Sequence, residues 1–93
     1  MVDSDNAMKA LVTLAIEKTL LDLGEPVYDK VVGTLYKKYR CLLPDCFEKP
    51  EYLKAVLKEL YVESYNEIVN SIQQELKEFV DNKRIERFLQ VLL

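Results

Sequence analysis

Cys41 and Cys46 are the two cysteines of this 93-residue chain, and the sequence contains no histidine. A structural zinc site takes four cysteine or histidine ligands, so this pair would complete one only with carboxylates or a second subunit. A cysteine nucleophile would also lack the histidine that usually activates it. The favoured interpretation is a pair of half-buried thiols near a loop in a reducing cytoplasm. A redox role, or a metal site shared between subunits, is the alternative.

The other residues that could do chemistry do not form a catalytic pattern. General acid–base catalysis at neutral pH usually recruits histidine, and carboxylates replace it only where burial raises their pKa. The acidic residues fall mainly on predicted solvent-facing sides of helices. Gly24 and Gly33 lie in a predicted turn and inside a predicted helix, so they do not form a phosphate-binding loop. We therefore expect no catalytic residue, no metal, no cofactor and no small-molecule substrate, and we expect that the protein is not an enzyme.

The charge pattern is more informative than the total. From Lys30 to Arg40 there are four bases and no acid, although the net charge of the chain is −3. On a helical wheel Lys30, Gly33 and Lys37 share the side opposite the apolar residues, and Tyr36 borders it. A glycine inside a helix lowers stability by about 1 kcal/mol relative to alanine, so its presence favours a specific reason. One such reason is close approach by a partner backbone or a phosphate. A solvated charged side with a tolerated glycine is the simpler interpretation.

The apolar C-terminus is a second candidate contact. It either docks on the core of its own chain or forms the interface of a dimer. We predict a non-enzymatic interaction module, regulatory in role, that engages a protein partner or its own copy. The alternative is a nucleic-acid-associated transcriptional accessory protein that uses the basic residues. A pI of 5.0 disfavours this alternative, because an acidic protein is repelled by the phosphate backbone. The candidate partner-contact surface consists of Lys30, Gly33, Lys37, Lys38, Arg40, Leu92 and Leu93.

Apolar residues recur at helical spacing in five segments that must position these side chains. Gly24 is suited to end one helix, and Pro26 and Pro50 are suited to open others. Ser64 with Glu67 three residues later is the signature of a capping box. Residues 40–49 are predicted to form a packed connection with one short helical turn. The predicted helices cover residues 4–23, 26–39, 50–61, 64 to an interruption at 81–82, and from there to the C-terminus.

These patterns predict a single all-α domain, a bundle of four main helices and a short C-terminal helix, without a sheet. A chain that is 49% hydrophobic and 31% charged is typical of a packed globular protein. The first helix has only a narrow polar ridge, so we expect it to be central, with its many leucines packed on neighbours. Tyr28, Tyr39, Tyr61 and Tyr65 are expected at the edge of the core, with their hydroxyl groups reaching water.

No apolar run approaches the roughly 20 residues that span a bilayer. The N-terminal stretch, residues 1–5, is acidic and leads into an amphipathic segment, unlike a signal peptide. We therefore expect a cytoplasmic protein without a membrane partner.

A resemblance to a known family begins at about Leu11 and covers most of the chain. It is carried by residues 15–18, 24–31, 35–41, 43–46, 50–53, 64–68 and 85–89. In these stretches the sequence resembles a small archaeal family, the fifth Nitrosopumilus output domain. The resemblance implies an all-helical module of unknown molecular activity, found alone or as an output domain of signalling proteins in ammonia-oxidising archaea. Val62 departs from the pattern, because glycine is better suited to the tight turn expected after the third helix.

Overall fold

Five α-helices joined by short connections form the fold in the computed structural model, which describes residues 4–93. Two short 3₁₀ helices, Leu43–Phe47 and Lys77–Phe79, lie in the connections after the second and the fourth α-helix. No strand occurs in the described range, so the predicted all-α class is confirmed. The α-helices are α1 Ser4–Leu23, α2 Glu25–Tyr39, α3 Pro50–Leu60, α4 Tyr65–Glu75 and α5 Lys83–Leu92.

Helix α1 is central, as predicted, because α2, α4, α5 and the first 3₁₀ helix all pack against it. Its inward side, however, differs from the expected one. Leu14 is 61% exposed, and Leu21 and Leu23 also face solvent. A helix that is apolar around most of its circumference can bury several different sides, so the positions of its neighbours decide which side is covered. The buried residues of α1 are Val12, Ala15, Ile16, Thr19 and Leu20.

Gly24 joins α1 to α2 without any loop. Its N–H donates to the carbonyl oxygens of Leu20 and Leu21 at 3.2 and 3.0 Å, and its own carbonyl accepts from the N–H groups of Val27 and Tyr28. The φ angle of Gly24 is 136°, a conformation that only glycine adopts readily. This residue therefore closes one helix and starts the next, as the sequence predicted.

The helix starts after α3 only partly match the sequence pattern. Ser64 is the N-cap residue of α4, but its side chain makes no capping hydrogen bond, so the predicted capping box is wrong. Asn82 does cap α5, because its Oδ1 accepts from the N–H groups of Arg84 and Ile85 at 2.9 and 3.3 Å. Val62 takes an ordinary negative φ in the turn before α4, so that turn has no need of glycine.

The core lies around α1, and all five α-helices and the first 3₁₀ helix contribute buried apolar side chains to it. Helix α3 packs on α2 and α5, and the aromatic ring of Phe88 on α5 is fully buried. The Cα radius of gyration, 12.4 Å, is that of a tightly packed chain of this length. No helix in residues 4–93 is long and apolar enough to cross a membrane. The acidic N-terminal stretch, on which the expected cytoplasmic location partly rests, begins outside the described residues.

Candidate partner-binding surface

The basic side of α2 faces solvent along its whole length. Val31 and Leu35 are fully buried and anchor the opposite side of the helix to the core. This arrangement confirms the helical-wheel prediction for the exposed side. The exposed residues of this side from position 30 onward, which we call the α2 basic face, are Lys30, Gly33, Tyr36, Lys37 and Arg40. The exposed Asp29 adjoins the start of this face.

Lys38 does not belong to this face. Its ammonium group forms an ion pair with the carboxylate of Glu59 on α3, and this hydrogen bond raises the pKa of Lys38 above its ordinary value of 10.5. The side chain therefore links two helices of the same chain. The sequence grouped it with the other bases because it could not show which acid lies nearby.

The charged residues of the α2 basic face differ from Lys38 in having no acidic partner in the described part of the chain. Among residues 4–93 no ion pair involves Lys30, Lys37 or Arg40. Exposed cations of this kind keep their charge available for a partner.

Arg40 occupies an unusual backbone position just after α2. Its φ angle is 50°, the left-handed region in which a helix most often ends with glycine. The N–H of Arg40 donates to Tyr36 O, and the N–H of Cys41 donates to Leu35 O, which closes the last turn of the helix. The guanidinium carbon lies 5.2 Å from the centre of the Tyr36 ring, within range of a cation–π contact. The backbone turn thus places the arginine beside the aromatic ring on the exposed face.

Gly33, at the middle of the face, has nothing within 4 Å of the place where a β-carbon would stand. No contact inside the described part of the chain therefore calls for glycine at this position. A partner could approach the bare helix backbone closely there.

The C-terminal part of the predicted surface needs correction. Leu92 is fully buried in the core, so its side chain is not available to a partner. Leu93, the next residue, is 66% exposed. The hydroxyl of Tyr65, expected to reach water, instead donates to the carbonyl oxygen of Leu92 at 2.6 Å. The apolar end of the chain therefore docks on the core, which is the first of the two alternatives for it.

The two cysteines are more buried than predicted, and their side chains lie close together. Both thiols donate to the same carbonyl oxygen, that of Leu42, at 3.4 and 3.9 Å. Burial raises the pKa of both thiols above the ordinary value of 9.0. In the described residues no group of three or more Cys, Asp or Glu side chains could hold a metal ion.

Thr19 is a polar residue that the sequence reading missed. It is only 4% exposed, and its hydroxyl has no hydrogen-bond partner in the described part of the chain. The side chain lies at a cleft of about 480 Å³ between α1 and α4, whose walls carry Asp22, Glu67 and Glu75. None of the predicted surface residues lines this cleft. The burial of Thr19 could have been predicted, because Val12, Ile16 and Thr19 follow one another at helical spacing on the same side of α1.

Comparisons of the chain with protein-family models, curated proteins and solved structures found no match.

Proposed function

We propose that the protein is a non-catalytic interaction module that binds an acidic segment of a protein partner through the α2 basic face. One observation carries the proposal. Two positions of this face, seven residues apart, carry residue types that the local backbone disfavours. A glycine stands at position 33, where a side chain would stabilise the helix, and an arginine stands at position 40, where glycine would.

Each of these two residues lowers stability, and within residues 4–93 no contact calls for glycine at position 33. The glycine costs about 1 kcal/mol relative to alanine. A non-glycine residue in the left-handed region costs about 1–2 kcal/mol. Positions that break local rules without an internal reason are expected at functional sites. Both exceptions favour contact: Gly33 lets a partner come close, and Arg40 presents a guanidinium group that can bind a carboxylate through two hydrogen bonds.

The residue chemistry favours binding over catalysis. The chain has no histidine, and its two thiols are buried with raised pKa values, which disfavours the nucleophilic thiolate. An acidic protein segment is favoured over nucleic acid because the face carries three bases and the whole chain has a net charge of −3.

The resemblance to the fifth Nitrosopumilus output domain supports a regulatory setting for such a module, as an output domain or adaptor in archaeal signalling. Two free cysteines are compatible with a reducing compartment, and we place the protein in the cytoplasm.

The proposal can be tested with a fluorescently labelled peptide of about 20 glutamate-rich residues and a DNA duplex of equal net charge. Fluorescence anisotropy would measure both affinities at low and at physiological salt. A variant with Lys30→Glu, Lys37→Glu and Arg40→Glu is expected to lose at least about tenfold in affinity for the peptide, because the charge contacts are reversed.

A matched control has Lys77→Glu, Lys83→Glu and Arg87→Glu, which change the net charge equally at exposed positions outside α2. This control should keep most of its affinity. Equal losses in both variants would show that only net charge matters and would overturn the proposal. Tighter binding of the duplex, with a steep salt dependence lost in the α2 variant, would favour the nucleic-acid alternative. Light scattering of the protein alone would reveal whether the acidic partner is a second copy.

A further inference from the structure

The cysteine pair forms a compact unit at the junction of α2 and the first 3₁₀ helix. Cys41 follows Arg40 at the end of α2, and Cys46 lies within Leu43–Phe47, the 3₁₀ helix that packs on α1. The segment between them is fixed by two hydrogen bonds. The N–H of Leu42 donates to Asp45 Oδ2 at 3.0 Å, and the N–H of Asp45 donates to Leu42 O at 2.9 Å.

This local turn brings the two thiols close together. Both thiols donate to the same carbonyl oxygen, Leu42 O, at 3.4 and 3.9 Å. A disulfide requires the sulfurs to approach to about 2.05 Å with a suitable dihedral angle. Both cysteines lie within residues 41–46, just after α2 and in the 3₁₀ helix that follows.

The two thiols differ in their access to solvent. A cleft of about 240 Å³ opens at Cys41, with the aromatic rings of Tyr39 and Tyr52 in its walls. Two bases and two acids also line it: Arg40, Lys49, Asp45 and Glu48. Cys46 does not line this cleft and is fully buried. Cys41 is 4% exposed and lines the cleft, so a small reagent would approach Cys41 before Cys46.

We propose that Cys41 and Cys46 form a reversible thiol–disulfide exchange site, in which Cys41 is attacked first and Cys46 resolves the intermediate. The oxidant is a small-molecule disulfide. Burial disfavours the thiolate form of both cysteines, so the exchange proceeds at alkaline pH, where Cys41 loses its proton. The Cys41 thiolate then attacks one sulfur of the oxidant, which forms a mixed disulfide and releases one thiol. The Cys46 thiolate then attacks the sulfur of Cys41, which forms the internal disulfide and releases the second thiol. The two cysteines lose two electrons and two protons, and the oxidant becomes two thiols.

This inference does not rest on the proposed binding function, since the exchange needs no partner protein. It is tested by incubating the folded full chain at alkaline pH with oxidised glutathione or with the uncharged 2-hydroxyethyl disulfide. The reaction is quenched with acid, free thiols are alkylated, and the products are identified by mass spectrometry with peptide mapping. The expected product is a monomer that has lost two hydrogen atoms, with both cysteines protected from alkylation, and a dithiol reductant should restore the starting mass.

Two variants separate the roles of the thiols. Cys46→Ser should stop at a mixed disulfide on Cys41, because the resolving thiol is absent. Cys41→Ser should react at least about tenfold more slowly with either oxidant, because Cys46 is closed to solvent. Circular dichroism of each variant at the reaction temperature verifies that it is folded.

Three outcomes would overturn the inference. The first is a folded wild-type chain whose thiols resist both oxidants under conditions in which the urea-unfolded chain reacts. The second is a disulfide-linked dimer as the main product. The third is equal reactivity of the Cys41→Ser and Cys46→Ser variants, which would show that local unfolding, and not the cleft, exposes the thiols.

Discussion

The phenolic hydroxyl of Tyr65 donates a 2.6 Å hydrogen bond to the backbone carbonyl oxygen of Leu92, and so ties the start of α4 to the end of α5. The two residues are 27 positions apart in sequence, and both are buried. The last carbonyl groups of a helix lack partners within the helix, so a side-chain donor at this point satisfies a group that burial would otherwise leave unpaired.

Removing this hydroxyl is expected to destabilise the fold. Tyr65→Phe keeps the ring but leaves the Leu92 carbonyl without its donor, which should lower the free energy of unfolding by about 1–2 kcal/mol. Urea denaturation followed by circular dichroism measures the change. Tyr36→Phe, which removes a hydroxyl from an exposed ring, is the control and should change stability by less than about 0.5 kcal/mol. Equal effects of the two substitutions would contradict the role assigned to the hydrogen bond.

The two C-terminal leucines are expected to respond differently to the same substitution. Leu92→Ser removes a fully buried side chain and places a hydroxyl in the core, so it should destabilise the protein by about 3 kcal/mol or more. Leu93→Ser affects a side chain that is 66% exposed and should be nearly neutral. Thermal unfolding of both variants tests this contrast. A stable Leu92→Ser protein would mean that the end of the chain does not dock as described.

Thr19 offers a stabilising substitution. Its buried hydroxyl has no partner in the described part of the chain, and valine has nearly the same shape. Because an unsatisfied buried hydroxyl costs about 1–3 kcal/mol, Thr19→Val should raise the free energy of unfolding by about 1 kcal/mol. Thr13→Val provides the comparison, since the Thr13 hydroxyl donates to Lys9 O at 2.7 Å and its loss should bring no gain. A decrease in stability for Thr19→Val would point to a hydrogen bond through a buried water molecule.

The two glycines should show opposite effects on replacement by alanine. Gly33→Ala is expected to stabilise the protein by about 1 kcal/mol, because α2 has open space for the methyl group. Gly24→Ala should destabilise it by about 1–3 kcal/mol, because φ at position 24 is 136°. Both values can be obtained from denaturant titrations. If Gly33→Ala also weakens peptide binding while it stabilises the chain, the proposed close approach of a partner gains direct support.

Stability is expected to fall at alkaline pH. Burial raises the pKa of the Cys41 and Cys46 thiols above the ordinary value of 9.0, so the folded chain holds protons that the unfolded chain releases. Folding is then favoured below pH 9.0 and loses this contribution as the pH rises above that value. Urea midpoints measured between pH 8 and pH 10 should decrease, and the decrease should be smaller in a Cys46→Ala variant. A parallel decrease in both proteins would assign the effect to other groups.

How far the sequence predicts this protein can be judged from particular residues. Apolar spacing gave the helices, because a helix needs its buried side chains every three or four positions whatever it packs against. Gly24 and Pro50 marked helix boundaries correctly, since their backbone restrictions act locally. The exposed side of α2 was also predictable, because Val31 and Leu35 leave only one orientation for the helix.

The tertiary structure alone decided the relationships between distant residues. Leu14 lies outside the core and Thr19 inside it, because the neighbours of α1 cover one side of a helix that could have buried several. Lys38 is not part of the α2 basic face, because its ammonium group pairs with the carboxylate of Glu59 on α3. Leu92 is buried and Leu93 is exposed because α5 docks in one rotational setting. Local preferences and periodicity are encoded within a few residues, whereas burial and pairing depend on which surfaces meet, and that choice belongs to the packed chain as a whole.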